Sequence, residues 1–333
     1  MIDTLYIEEE VLDHPRARAI GARFPRAARV ICQRYGELFN RKAQNFRLQK
    51  ARPALILAKK HGQLLQPAPP QYGIGGRHHF YFSHMLNCLY DCRYCFLQGM
   101  YRSAHYVVFV NFEDFQQAIE AQTRALEGED VQFYSGYDCD SLALDPVTRF
   151  TESFLPLFAT LPDSSIELRT KSTQIRGLLK MAPLPNCVVA FSFVPQDLGR
   201  ALEHGVPPLE RRLDAMLRLH RQGWPLGLRF DPLIYHPDYA QTYRALFDTL
   251  FTRIPPEALH SVSLGAFRMP ETFFRNMVRL YPDERFFAGP FANRDGMTSY
   301  QRHLEQDMMR TCAAQILEYV PAEKFFPCDD EYR

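Results

Sequence analysis

From about residue 77 onward, short apolar runs alternate with longer amphipathic segments six times over, and this alternation constrains the fold more than any other feature of the chain. The runs are His79 to Leu86, Val131 to Ser135, Ile166 to Thr170, Cys187 to Phe193, Leu226 to Phe230 and Ser261 to Ala266. Such runs read as strands, and the stretches between them carry helical periodicity. The clearest helix spans Pro208 to Gln222, with Leu209, Leu213, Met216 and Leu217 on one face, proline in the first turn and Gly223 just past the end. Strands joined through helices pair in parallel. Six repeats therefore predict an α/β fold in which a parallel sheet curls into a partial (β/α)6 barrel, with its active site at the carboxyl ends of the strands.

Flanking segments divide the chain into three. Residues 1–76 form a basic N-terminal α/β layer, closed by the loop Gln66 to Gly76, whose prolines and glycines exclude a helix or central strand. Residues 77–282 carry the barrel, and residues 283–333 form a C-terminal extension of hairpin and helix, with Arg294-Asp-Gly296 as the turn. Between Arg16 and Lys60 there are thirteen basic residues against Glu37 alone, a face suited to polyanions or simply to water.

The period of two along a strand assigns its faces. In the fifth repeat Trp224, Leu226, Leu228 and Phe230 face outward, which turns Arg229 and Asp231 into the barrel; in the third, Glu167, Arg169 and Lys171 face inward. A polar lumen suits a charged cofactor, with Arg229 and Asp231 as contacts, or else its charges pair with one another.

Cys88, Cys92 and Cys95 follow the first strand directly, and so stand at the barrel rim. The other five cysteines are scattered, which argues against a disulfide scaffold and for a reducing, cytoplasmic setting. No apolar run approaches the ~18 residues of a membrane span, and the amino terminus lacks a basic-then-apolar leader. Three thiolates on a short loop hold three irons of a 4Fe-4S cluster and leave the fourth open to a small chelating ligand. Structural zinc is the competing reading, with His84 completing a Cys3His set.

The Cys88-x-x-x-Cys92-x-x-Cys95 spacing, with Tyr94 before the third cysteine, resembles the signature of the radical S-adenosylmethionine superfamily. The resemblance implies a 4Fe-4S cluster, S-adenosylmethionine bound through its methionine end, and reductive formation of a 5′-deoxyadenosyl radical. It places Tyr94 against the adenine, and Ser135, Gly136 and Asp138 where the family receives the methionine amino group.

Over almost the whole chain the sequence is also similar to the spore photoproduct lyase family, which uses the adenosyl radical to split a thymine dimer. The similarity is carried by Cys92-Arg-Tyr-Cys-Phe-Leu-Gln98, His105-Tyr-Val-Val-Phe-Val-Asn111, Glu203-His-Gly205, Leu209-Glu-Arg-Arg-Leu213, Trp224-Pro-Leu-Gly227 and Leu5-Tyr-Ile-Glu8. It implies cofactor contacts at Lys171 and Ser192, a DNA-contacting hairpin around Arg294, Tyr300 and Arg302, and a low-potential electron donor such as flavodoxin or ferredoxin. Phosphate contacts are expected from the basic layer at Arg47, Lys50 and Arg52. Two departures stand out. Phe96 occupies the place of a relay tyrosine, and the place of a hydrogen-donating cysteine falls on Tyr137, with Cys139 two residues on. In an extended segment both share a face; Cys139, which follows a strand ending at the barrel mouth, is the expected donor and Tyr137 the competing one, with Tyr94 relaying the hydrogen onward.

Together these readings predict a radical lyase acting on a nucleic-acid lesion, such as one in DNA. Radical chemistry on a small molecule or peptide is the alternative, and a zinc-stabilised nucleic-acid-binding protein is the non-enzymatic one.

Overall fold

The computed structural model describes residues 2–329 and 332. The six expected strands form at His78–Phe82, Val131–Ser135, Ser164–Thr170, Cys187–Ser192, Leu226–Leu233 and Leu259–Ala266. They pair in parallel in chain order, as right-handed crossovers dictate. Phe325–Pro327 adds a parallel strand at the far edge and Gln66–Pro67 an antiparallel one at the near edge. The result is a curled, eight-stranded partial barrel.

Helices cover its outer face. Leu209–Gln222 begins after Pro208, buries Leu209, Leu213, Met216 and Leu219, and ends where Gly223 adopts φ 91°, a left-handed value suited to glycine. Outward residues of the strands, among them Ile166, Leu168, Val189, Leu226, Leu228 and Phe230, are fully buried beneath these helices in one continuous core.

The N-terminal layer is more entangled with the barrel than the 1–76 boundary implies. Its strands Thr4–Glu8, Ala28–Cys32 and Leu55–Ala58 extend through Tyr106–Phe109 to Met85–Leu86, so one five-stranded sheet draws on residues either side of the cysteine loop. This sheet encloses a second core around Leu5, Leu55, Leu57, Met85 and Val108. The C-terminal boundary is likewise shared, because Met297–Tyr300 pairs with Arg268–Pro270 on one side and with Phe291–Arg294 on the other. Asp295 and Gly296 take φ of 51° and 78° in the connecting turn, the positive pair that a tight two-residue hairpin requires.

Candidate active site

Residues 83–101 follow the first barrel strand, pair with the N-terminal sheet at Met85–Leu86, and carry Cys88, Cys92 and Cys95, all free thiols. Cys92 is anchored by antiparallel pairing with Glu203, and its neighbour Arg93 donates its backbone N–H to Leu202 O at 2.8 Å. Cys88 Sγ accepts the backbone N–H of Tyr90 at 3.4 Å. Burial pushes all three thiols up, Cys88 to about 12; Cys95 adds to the rise at Cys88, and Cys95 and Cys88 add to it at Cys92. Thiols in that setting become thiolates only beside cations. Lys50 and Lys171 supply part of that charge, and iron ions would supply the rest. An all-sulfur donor set on one loop suits an iron-sulfur cluster.

His84 does not join this set. It is 2% exposed and stacked on Phe150 with ring centroids 3.8 Å apart, and burial pushes its pKa down to about 3. Among the described residues no group of three or more His, Cys, Asp or Glu side chains is arranged to hold a single metal ion. The Cys3His zinc arrangement is therefore not formed.

Beyond the loop, Gly136 takes φ 85°, and a Cβ there would lie 2.5 Å from Ser141 Oγ. Only glycine fits, because residues 139–141 pack against this backbone at the end of the second strand. Ser135 is turned inward, bonded to Ser141 Oγ at 2.9 Å and to Glu167 O at 3.1 Å. Asp138 accepts from Ser83 through one oxygen, while its other carboxylate oxygen is buried without a partner. Burial raises its pKa.

Tyr94 is more enclosed than a residue lying open to adenine. Its hydroxyl donates to Glu203, whose other oxygen receives Arg212 at 2.8 Å. Arg212 also donates to Ser192 O at 2.7 Å. Lys171 extends its ammonium over the Tyr94 ring, 5.6 Å from the centroid. Glu203 and Arg212 were not expected at the site. The available signal was Arg212 itself, a charge on the apolar face between Leu209 and Met216, which must be paired when buried. Asp140 was also missed: it accepts from Leu142 N, Ala143 N, Thr170 Oγ1 and Lys171 N, and so ties the second strand's exit to the third's.

Arg229 cannot serve as the expected cofactor contact. It is fully buried, and its nitrogens donate to both Glu167 oxygens, Leu228 O, Ser261 O and Ser261 Oγ. That exhausts its five N–H groups. Burial favours the neutral Glu167 carboxyl, but Arg229 and then Arg169 overcome this and hold it at about 2. Asp231 faces the lumen, paired with Arg268 at 3.3 Å and with Arg169 at 3.8 Å.

The candidate donors also separate. Past Gly136 the chain turns rather than extends, so residues 137 and 139 do not share a face. Tyr137 is 45% exposed, stacked on Tyr81 at 4.4 Å and tilted against Phe96 at 5.5 Å. Cys139 is buried in the core of the N-terminal sheet.

The nucleic-acid candidates divide similarly. Arg47, Arg52 and Arg302 are exposed, whereas Lys50 is turned toward the cysteine loop. Arg294 is ion-paired with Glu305. Tyr300 is 1% exposed, accepts Tyr235 N at 2.9 Å and stacks on Phe291, so it is a core residue and not a DNA contact. Part of the N-terminal charge is also neutralised locally: Arg16 pairs with Glu113, Arg18 with Asp13 and Arg34 with Glu10.

A partial parallel barrel with three cysteines on the loop after its first strand defines a radical S-adenosylmethionine-type protein. Residues 80–286 match the family model for spore photoproduct lyase, and the chain belongs to that family. The spore photoproduct lyase of Bacillus subtilis (strain 168) is 24% identical over 177 residues, 53% of this chain and 52% of that protein. That of Geobacillus sp. (strain Y412MC61) is 23% identical over 164 residues, 49% and 48% of the two chains. These alignments thus span about half the length of the curated relatives. The fold agrees over much more: a spore photoproduct lyase variant solved with AdoMet and dinucleoside spore photoproduct superposes with a TM-score of 0.86, covering 99% of this chain and 98% of that one, at 17% identity. A complex of the lyase with the dinucleoside photoproduct gives 0.84 over the same coverage.

Proposed function

We propose that this chain is a radical S-adenosylmethionine lyase that opens a thymine-dimer photoproduct in DNA. The observation that carries the reading is the set of three free cysteines, Cys88, Cys92 and Cys95, carried on the one loop that follows the first strand of the barrel. Cys88, Cys92 and Cys95 would hold a 4Fe-4S cluster. When bound, the cluster and S-adenosylmethionine would supply a reductively generated 5′-deoxyadenosyl radical, the electron coming from a low-potential donor of the flavodoxin or ferredoxin type.

The chain's own residues bind, orient and return hydrogen. The carbonyl of Gly136 would receive an amino group, and the Lys171 ammonium, over the Tyr94 ring, suits a carboxylate. Ser192, at the end of the fourth strand, and Asp231 are proposed as further contacts. Tyr94, locked to Glu203, fixes the loop on which the second and third thiols stand.

Tyr137 is the proposed hydrogen donor, because it lies beside Phe96, the residue after the third cysteine, with its ring half open to the mouth. Its O–H bond breaks as a C–H bond forms on the product radical. The resulting phenoxyl radical is returned to phenol by one electron from the same donor and a solvent proton. Exposed Arg47, Arg52 and Arg302 are proposed to contact phosphates.

The test is anaerobic reconstitution with iron and sulfide, followed by assay of 5′-deoxyadenosine and thymine products with dinucleoside spore photoproduct and with UV-irradiated DNA. Iron bound by the wild type and lost in Cys92→Ala, with photoproduct-dependent thymine release, is the expected result. Cofactor cleavage that neither photoproduct nor irradiated DNA converts into repaired thymine would overturn the assignment of the lesion.

A further inference from the structure

Lys50 departs from the solvated basic surface around it. It lies on the short helix Phe46–Ala51, whose start is capped by Asn45 Oδ1 accepting from Leu48 N at 3.0 Å. From there its ammonium reaches the cysteine loop and donates to Cys88 O at 3.0 Å and to Tyr90 O at 3.1 Å. Between those carbonyls, the Tyr90 N–H is bonded back to Cys88 Sγ. The turn bearing the first thiol therefore closes around one cation.

Neighbouring residues of the same layer hold the chain that follows the cysteines. Gln49 Oε1 accepts Ala104 N at 2.9 Å, Asn40 Oδ1 accepts Arg102 N at 2.8 Å, and Phe39 packs on Tyr101 with centroids 4.9 Å apart. Asn87, at φ 67°, donates to Ser103 O and His105 O, both at 2.7 Å. Side chains from residues 39–50 thus brace backbone on both sides of the loop. Only Lys50 among these bracing side chains also brings a charge to the residue that carries a thiol.

We propose that Lys50 is a positioning residue of the cluster: its two hydrogen bonds fix the Cys88–Tyr90 turn, and its charge eases entry of an electron. This rests on the reading of the three thiols as cluster ligands. An anionic cluster gains another negative charge on reduction, so a nearby cation favours the reduced state, and its removal shifts the midpoint to more negative potential. Loss of the two charge-assisted bonds also loosens the turn.

The experiment compares wild type, Lys50→Met, Lys50→Gln and Lys50→Arg after anaerobic reconstitution. Iron loss to a chelator and the midpoint from an EPR-monitored titration with a chemical reductant are the readouts. Lys50→Met is expected to load iron, to lose it about tenfold faster than wild type, and to titrate at a more negative potential. Lys50→Arg restores the midpoint because it keeps the charge. Unchanged chelation rate and midpoint in Lys50→Met overturn the proposal. Should that variant fail to fold by thermal melting, Lys50→Gln decides alone, since it can donate without charge: a more negative midpoint supports the proposal and an unchanged one refutes it. A wild type that holds no cluster would instead defeat the cluster reading, so the two failures are distinct.

Discussion

Replacing Arg229 by methionine tests whether the charged lumen is scaffold or binding surface. The substitution keeps a long unbranched chain and removes five donated hydrogen bonds, two of them to Glu167. Glu167 would retain Arg169, whose Nε lies 2.9 Å from Oε1. Breaking a buried ion pair from one side costs about 3 to 5 kcal/mol, because the remaining charge and carbonyls lose their partners. Thermodynamic linkage gives a similar scale. The carboxyl is held at about 2 against an ordinary 4.5, and at 1.36 kcal/mol per pKa unit this is worth about 3 kcal/mol. That stability is present above pH ~4.5 and is lost as pH falls toward the depressed folded value, because the unfolded carboxyl then takes up the proton first.

A loss of about 4 kcal/mol lowers the melting temperature of the apoprotein by about 8 °C, at roughly 2 °C per kcal/mol for a chain of this size. The assay is thermal and urea unfolding of Arg229→Met, Glu167→Gln and the double variant. The double variant should be less destabilised than the sum of the singles, because neither leaves an orphaned partner for the other. If Arg229→Met melts within about 2 °C of wild type and instead weakens S-adenosylmethionine binding, the structural role is wrong and the residue is a cofactor contact.

Three further outcomes are expected. His84→Phe preserves the stack on Phe150 and removes a buried imidazole held at about 3; stability that the wild type loses as pH falls from 6.5 toward that value should be retained, read as a lower midpoint of acid unfolding. Tyr137→Phe should leave cluster assembly intact but divert substrate into adducts under single-turnover conditions, whereas Cys139→Ala should give the wild-type product distribution; the reverse pattern would make Cys139 the donor. Joint replacement of Arg47 and Arg52 by alanine should weaken DNA binding and flatten its salt dependence by up to about two phosphate contacts, with iron loading unchanged; an unchanged slope would remove those residues from the DNA surface.

The strands and the long helix were legible because the physics that sets them is local and periodic. Burial of Ile166, Leu168, Leu226 and Leu228 follows from alternation, and the helix end at Gly223 from the one residue type at ease with φ 91°. The cysteine loop was legible because its spacing is short. What failed needed tertiary information. Arg229 and Glu167 were correctly turned inward, but only the fold brings them within 2.9 Å and so exhausts the guanidinium. Tyr300 sits in an aromatic and basic stretch typical of a nucleic-acid surface, yet its ring packs on Phe291 and Phe267 inside the C-terminal core. Lys50 looked equivalent to Arg47 and Arg52, and helix phase alone does not reveal that carbonyls from residues 88 and 90 wait on its side.

The departures from the family pattern around the cluster are structurally coupled. Phe96 stands where the resembling family has a tyrosine, and its ring meets Tyr137, at the place of the family's donor thiol. Tyr137 in turn stacks on Tyr81, whose hydroxyl donates to Gln66 Oε1 at 2.6 Å. A bulky phenol in place of a small thiol must be housed, and an aromatic shelf from Tyr81 and Phe96 does so with favourable ring contacts. The phenol keeps an exchangeable hydrogen at position 137, where the resembling family has its thiol, while Phe96 leaves none at position 96. Cys139, two residues later, lies in the N-terminal core, where burial and then the nearby Cys88 raise its pKa.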